Sequence, residues 1–328
     1  MAGGQERILR RRIRSIQSTK KITRAMELIA ASRIVRAQQA IAAARPYVDK
    51  MAEVVGHLAD TPDARNHPLF REPESLRRAA IVVIAGDRGL SGAYNSSVLR
   101  AAERRIRELE GAGADVMLVS VGRKVGNHFR YRHREPAAAF TGVADRPGPD
   151  DAKAITDVVM EAYATGELDQ IDLVYTHFES IGRQVVTVRK LVPIERSAPT
   201  RSAVTGDVER DASTGRPLDH AQEHFVDYEY EPGPAELLEY LLPSWLQGEV
   251  LAALLSASAS EYVARQRAMK AATDNADDLI TTLTRVMNRA RQDAITTEIM
   301  EIVGGAEALR GGADETVHTE TYEDPDAA

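Results

Sequence analysis

Cysteine is absent from all 328 residues, which excludes disulfides, thiol catalysis and cysteine-based metal sites. No apolar run approaches the ~18 residues that a membrane-spanning helix needs. The N-terminus is basic but lacks the apolar segment of a secretory signal. The balance of 49 acidic and 42 basic side chains is net −7, so bulk charge does not point to nucleic acid. These absences predict a soluble cytosolic protein with enough chain for one large or two small domains. Aromatic residues make up only 5% of the chain, while Ala, Glu and Arg abound, as long helices favour.

Proline and glycine are also missing between Gly248 and Gly304. That gap lies within a predicted helix from Pro234 to Leu309, ~75 residues or about 110 Å at the helical rise. Pro232-Gly233-Pro234 marks its start; Pro243 and Gly248 are candidate bends. Ala276, Leu279, Leu283, Val286 and Ala290 step by three and four, the seam of a two-stranded coiled coil. Beyond them Ile295, Ile299, Met300, Ile302 and Val303 spread around the helix, a pattern that suits burial on all sides. Gly304-Gly305 is expected to loosen the end. An apolar tip needs a socket, and the socket should be another protein.

Residues 1–59 read as a second coiled-coil helix, with Ile34, Ala37, Ile41, Ala44, Val48, Met51, Val55 and Leu58 at the same spacing. Pro46 should kink it without ending it, because the pattern resumes in phase. Earlier, Leu9, Ile13 and Ile16 keep the spacing, but Lys20 and Thr23 fall where apolar residues are wanted. Residues 1–40 hold ten bases and two acids, a net of +8 in an acidic chain. A solvated face would tolerate this; an acidic partner or phosphate-rich ligand accounts for it better.

Between the helices the period changes. A polar, proline-marked linker (60–78) leads to residues 79–195, where Ala79–Ala85, Asp115–Val121, Ile171–Phe178 and Gln184–Ile194 read as strands. Ser97–Glu110, Gly122–Arg130 and Asp151–Thr165 read as helices. Alternation predicts an α/β domain with a mainly parallel sheet and an edge hairpin. Residues 196–224 read as a flexible insertion, Phe225–Tyr230 as a final strand within 225–309, and 310–328 as an acidic disordered tail. The fold class is thus an α/β domain inserted between two long terminal helices that form an antiparallel coiled coil.

Little carries chemistry. Gly86-Asp87-Arg88-Gly89-Leu90-Ser91-Gly92 follows a strand and precedes a helix, but it lacks the Lys-Ser/Thr of a phosphate loop and the spacing of a dinucleotide fingerprint. A tight turn is the better reading. Ser91 has no base partner marked by a motif, and the eight histidines form no metal-spaced helical pair. Arg123, Lys124, His128, Arg130, Arg132, His133 and Arg134 around Tyr131 suit a solvated helix better than RNA. Glu298 and Glu301 lie three apart near Arg291 and Gln292, a spacing better suited to partner contacts than to acid–base work. No catalytic residue, metal ligand or cofactor is expected.

Ile295-Thr296-x-Glu298-x-x-Glu301-x-x-x-Gly305-Ala306-x-Ala308 resembles the C-terminal signature of the gamma subunit of F-type ATP synthases. Ile13-Arg14-Ser15-Ile16, Thr19 to Glu27, Ala30-Ala31-Ser32, Asp87-Arg88-Gly89-Leu90 and Met269 to Asn275 agree with the same family. The resemblance covers residues 1–195 and 225–309. It implies a non-catalytic central rotor that couples proton-driven c-ring rotation to conformational cycling of the beta subunits, for ATP synthesis or hydrolysis. The helix pair would stand in the ring of alpha and beta subunits. A Rossmann-like foot would rest on the c-ring of the membrane sector and bind epsilon. The complex would sit peripherally on the cytoplasmic face of the bacterial cell membrane. By resemblance, Arg291, Gln292 and Thr296, with Glu298 beside them, contact the catalytic ring. Lys20, Lys21 and Arg24 face acidic loops of beta, and Ile295, Ile299, Ile302 and Val303 form an apolar bearing tip. Ser91 stands where many relatives have cysteine, so thiol regulation is unavailable, and 196–224 is outside the shared pattern. Two other readings compete: a nucleotide-binding α/β enzyme with coiled-coil arms, and a coiled-coil scaffold binding nucleic acid with salt-dependent affinity.

Overall fold

The computed structural model describes residues 2–59, 61, 70, 73, 75–194, 231 and 233–314. The expected insertion (196–224), the expected strand at 225–230, most of the linker and the tail beyond 314 lie outside the described residues. The elements are α1 (Ala2–Ala59), β1 (Arg78–Ile84), α2 (Tyr94–Gly111), β2 (Asp115–Val121), α3 (Arg123–Tyr131), β3 (Ala138–Phe140), α4 (Pro149–Ala164), β4 (Gln170–Phe178), β5 (Gln184–Val192) and α5 (Pro234–Asp314). The chain divides into two compact units, residues 25–270 and residues 1–24 with 271–328. Both long helices contribute to each.

In the larger unit a five-stranded sheet runs in the order β3-β2-β1-β4-β5. β1 pairs in parallel with β2 and β4, and β5 returns antiparallel along β4. Side chains alternate across a strand, so β1 serves two cores. Ala80, Val82 and Ile84 pack with Leu242, Trp245, Leu246 and Val250 of α5, Ile155 of α4 and Leu58 of α1. Ile81, Val83 and Ala85 pack with Val98, Ala102 and Ile106 of α2 and Phe129 of α3. Burial on both faces is why β1 reads as an unbroken apolar run. The three-residue β3 was not expected; so short a strand carries no periodicity to read.

Local chemistry fixes the junctions. Pro149 opens α4, and Asp151 reaches back to accept from the Gly148 N–H at 2.9 Å. Gly122, at φ +98°, sits so close to β1 that a Cβ there would stand 2.1 Å from the Ala85 carbonyl oxygen. Only glycine fits that position.

In the smaller unit, α1 and α5 touch through residues whose numbers run in opposite directions. Lys20 pairs with Asp277, and the Thr23 hydroxyl lies 2.8 Å from that of Thr273. The covered positions step by three and four on both helices: Leu9, Ile13, Ile16, Lys20 and Thr23 on one, Thr273, Ala276, Ile280, Leu283, Met287, Ala290 and Ala294 on the other. This corrects the expected seam, because Leu279 and Val286 lie on an open flank, each about half exposed. Lys20 and Thr23 hold seam positions after all, each meeting a polar group on α5.

One further expectation changes. α5 does not loosen at Gly304-Gly305 but continues to Asp314, since a helix interior tolerates Gly at about 1 kcal/mol each. The stretch of α5 buried on all sides is around 249–263, against the sheet, whereas residues 295–303 are exposed. Pro46 lies inside α1, which continues through it as expected.

Candidate functional site

The turn after β1 is closed by the chain's own polar groups. Asp87 accepts from the backbone N–H groups of Arg123 (2.9 Å) and Gly142 (3.0 Å), and Asn95 Oδ1 accepts from the Gly86 N–H (2.8 Å). The carboxylate of Glu261 on α5 packs so tightly on Gly86 that an added Cβ would lie 2.6 Å from its Oε1. A buried carboxylate at this position is the wrong charge for a phosphate cradle, which supports the tight-turn reading. Glu261 donates nothing as an anion and is met by Arg265 Nη2 at 2.5 Å. Burial pushes Glu261 above the usual carboxylate range, with Arg265 opposing the shift. Ser91 is buried and hydrogen-bonded by Asn95 Nδ2 at 3.3 Å.

The basic cluster of α3 is largely paired within the fold. Arg123 meets Asp87, His128 and Arg132 meet Glu103, Arg130 meets Glu135, and Arg134 meets Glu110. Paired guanidiniums are poorly placed for an RNA backbone.

The predicted contact residues all belong to the smaller unit. Lys20 is half-buried and engaged with Asp277, while Lys21 and Arg24 are exposed on the same helix. Arg291, Gln292, Thr296 and Glu298 are exposed on α5. Ile295, Ile299, Ile302 and Val303 are exposed too, at 48%, 54%, 66% and 52%, with Met300 at 68%. About two and a half consecutive turns therefore carry apolar side chains into solvent, far more than scattered surface leucines would. Asp277 and Thr273 were missed in the sequence. The signal was available, since an antiparallel register that matches Lys20 with one acid brings Thr23 opposite Thr273.

A family model described as ATP synthase matches residues 5–309. The ATP synthase gamma chain of Parafrankia sp. is 45% identical over 317 residues, covering 94% of this chain and 99% of that protein. The gamma chain of Frankia casuarinae is 46% identical over 316 residues, with the same coverage. Among solved structures, a chain of the Euglena gracilis mitochondrial ATP synthase OSCP/F1/c-ring assembly superposes with a TM-score of 0.59 at 16% identity, covering 98% of this chain and 99% of its own. A chain of the Tetrahymena thermophila mitochondrial ATP synthase central stalk/c-ring gives 0.54 at 23% identity, covering 76% and 99%. These two likenesses concern the fold. With a family match across nearly the whole chain and relatives of this identity, the chain belongs to the ATP synthase gamma chain family.

Proposed function

We propose that this chain is the central rotor shaft of an F-type ATP synthase. The observation that carries the reading is the row of exposed apolar side chains from Ile295 to Val303 inside the segment matched by the family model. The antiparallel contacts and heptad-spaced burial support a coiled coil of α1 and α5, standing in a ring of alpha and beta subunits. The apolar tip turns in a sleeve at the top of that ring. The sheet-bearing unit is the foot, bound to epsilon and seated on the c-ring, at the cytoplasmic face of a bacterial cell membrane. Proton flow turns the ring, and the shaft presents unequal faces to the three beta subunits in succession. Pro46 and Pro243 inside the long helices each remove a backbone donor and bend the rod. The chain itself performs no chemistry.

Arg291, Gln292, Thr296 and Glu298 contact beta from α5, and Lys21 and Arg24 meet its acidic loops from α1. Lys20 shares its charge with Asp277, so its part is weaker. Replacing Arg291 and Gln292 together by leucine tests the assignment. Both are exposed, so helicity of the isolated chain should be unchanged while ATPase and synthesis fall in the assembled complex. Undiminished rates would remove both residues from the contact surface.

A further inference from the structure

A cavity of about 530 Å³ in the larger unit lies between α1, α5 and the segment joining β3 to α4. Arg33 and Arg36 enter it from α1, Arg146 from the connecting segment and Tyr262 from α5. Asp145 also lines it, but its carboxylate is already engaged by Arg88 and, at 3.6 Å, by Arg33. The Tyr262 hydroxyl fixes the segment by donating to the Asp145 carbonyl at 2.5 Å and accepts from Arg33 Nη1 at 3.3 Å. The Arg33 guanidinium stands over the Tyr262 ring, 5.5 Å from its centroid.

Arg36 and Arg146 are different. Among the described residues neither has an ion pair or a hydrogen bond, although arginines nearby on the foot are mostly matched with carboxylates. Three guanidiniums thus converge on one concavity whose only carboxylate is taken. Leu255, Ala37 and Pro147 complete an apolar wall. Planar guanidinium forks suit bidentate contacts with phosphate oxygens. The volume lies within the range of small-ligand clefts, whereas an acidic polypeptide would need a longer open groove. The basic excess of the first forty residues includes Arg33 and Arg36, whose charge faces this cleft.

The geometry points to a small-oxyanion site of the phosphate class, formed by Arg33, Arg36 and Arg146 over Tyr262. Arg36 and Arg146 supply the uncommitted charge. Arg33 and Tyr262 shape the cleft and hold Asp145 aside.

Calorimetric titration of the purified full chain with inorganic pyrophosphate tests this, at constant ionic strength and with circular dichroism as the folding control. Saturable one-site binding is expected. Loss of a charge-assisted contact is worth about a tenfold change in Kd, so Arg36→Gln with Arg146→Gln should weaken binding by at least that. Arg146→Lys, which keeps the charge, should lose less. Arg107→Gln, which removes an exposed arginine on α2 outside the cleft, should bind as the parent does. Absence of saturable binding by the parent overturns the site, as does equal binding by the double variant or equal weakening in Arg107→Gln. A polyglutamate peptide that binds more tightly than pyrophosphate through the same arginines also overturns it, in favour of a polypeptide surface.

Discussion

The hydroxyls of Thr23 and Thr273 lie 2.8 Å apart, across two helices whose contacting residues are 250 positions apart in the chain. Thr23 Oγ1 also lies 3.0 Å from the Lys20 carbonyl, and either hydroxyl of the pair can donate to the other. Both residues are buried, which makes the bond register-specific: a shift of one residue would break the hydroxyl pair. Thr23→Val should cost about 1–2 kcal/mol, the loss expected when one partner of a buried hydrogen bond is removed. Thr23→Val with Thr273→Val should recover part of that. Urea unfolding of the singles and the double measures the coupling, and strict additivity would show that the bond contributes nothing.

The sheet was legible in the sequence because its strands are either buried on both faces or bounded by turn residues. Asp115–Val121 ended where expected, and β4 and β5 formed the expected hairpin. The helix seam was less legible. Leu279-Ile280 and Val286-Met287 are adjacent apolar pairs, so three-four spacing fits either member, and it is Ile280 and Met287 that are half-buried. The register is fixed by polar pairs at one end of the contact, Lys20 with Asp277 and Thr23 with Thr273. With Lys20 and Thr23 on α1, the complementary positions on α5 are Asp277 and Thr273, and a hydrophobic pattern alone cannot find a polar register. The contact residues follow from the family signature, whereas the apolar tip is legible in the pattern of Ile295, Ile299, Met300, Ile302 and Val303 itself. Their exposure fits that assignment, but the partners that would cover them are other chains. The cleft at Arg36 and Arg146 was invisible in sequence because 110 residues separate its two uncommitted charges.

Gly86 faces Glu261 at a distance that leaves no room for a methyl group. Gly86→Ala should therefore displace the Glu261 carboxylate from Arg265 and destabilise the larger unit by about 1–3 kcal/mol, the usual cost of overpacking. Thermal unfolding gives the shift. A variant as stable as the parent would mean that Glu261 swings aside at no cost.

Glu261 also confers a pH dependence with a defined sign. Burial raises its pKa above the usual 4.5; Arg265 and Arg88 pull it down, and Asp145 pushes it up. Tyr94, itself raised by burial, stays protonated beside it. The folded chain thus holds this proton to higher pH than the unfolded chain does. Its stabilising contribution is complete below 4.5 and is lost as pH climbs through the raised folded value. Relative to Glu261→Gln, the parent should lose stability from pH 4.5 upward and then level off. Urea midpoints of the two proteins between pH 4.5 and 7.5 measure the difference; a parent that gains on the variant as pH rises would contradict the shift.

Asp172 is fully buried in β4, where it accepts from Arg105 Nε at 2.7 Å and from Gln170 Nε2 at 2.8 Å. Arg105→Leu would strand that carboxylate and should cost about 3 kcal/mol or more, whereas Arg105→Leu with Asp172→Leu should cost much less. Chemical denaturation of both variants compares them. If the single proves no worse than the double, water reaching the carboxylate has replaced the guanidinium.

The apolar tip separates folding from assembly. Ile299 and Ile302 are more than half exposed and lie three residues apart, so their side chains contribute to one open face of α5. Replacing both by serine removes little from the isolated chain, because almost nothing packs on them, and serine lowers helix propensity only by tenths of a kcal/mol. A rotor reading makes a sharper demand. Inside a sleeve the same side chains would be desolvated, and each buried aliphatic side chain is worth about 1.5–3 kcal/mol. The double variant should therefore keep the parent's helicity and unfolding midpoint as a free chain, yet assemble with alpha and beta less well and lose coupled ATPase. Measuring dichroism on the free chain and activity on the reconstituted complex separates the two. Equal assembly and activity would mean that no partner covers this face, and the reading of residues 295–303 as a bearing would fall with it.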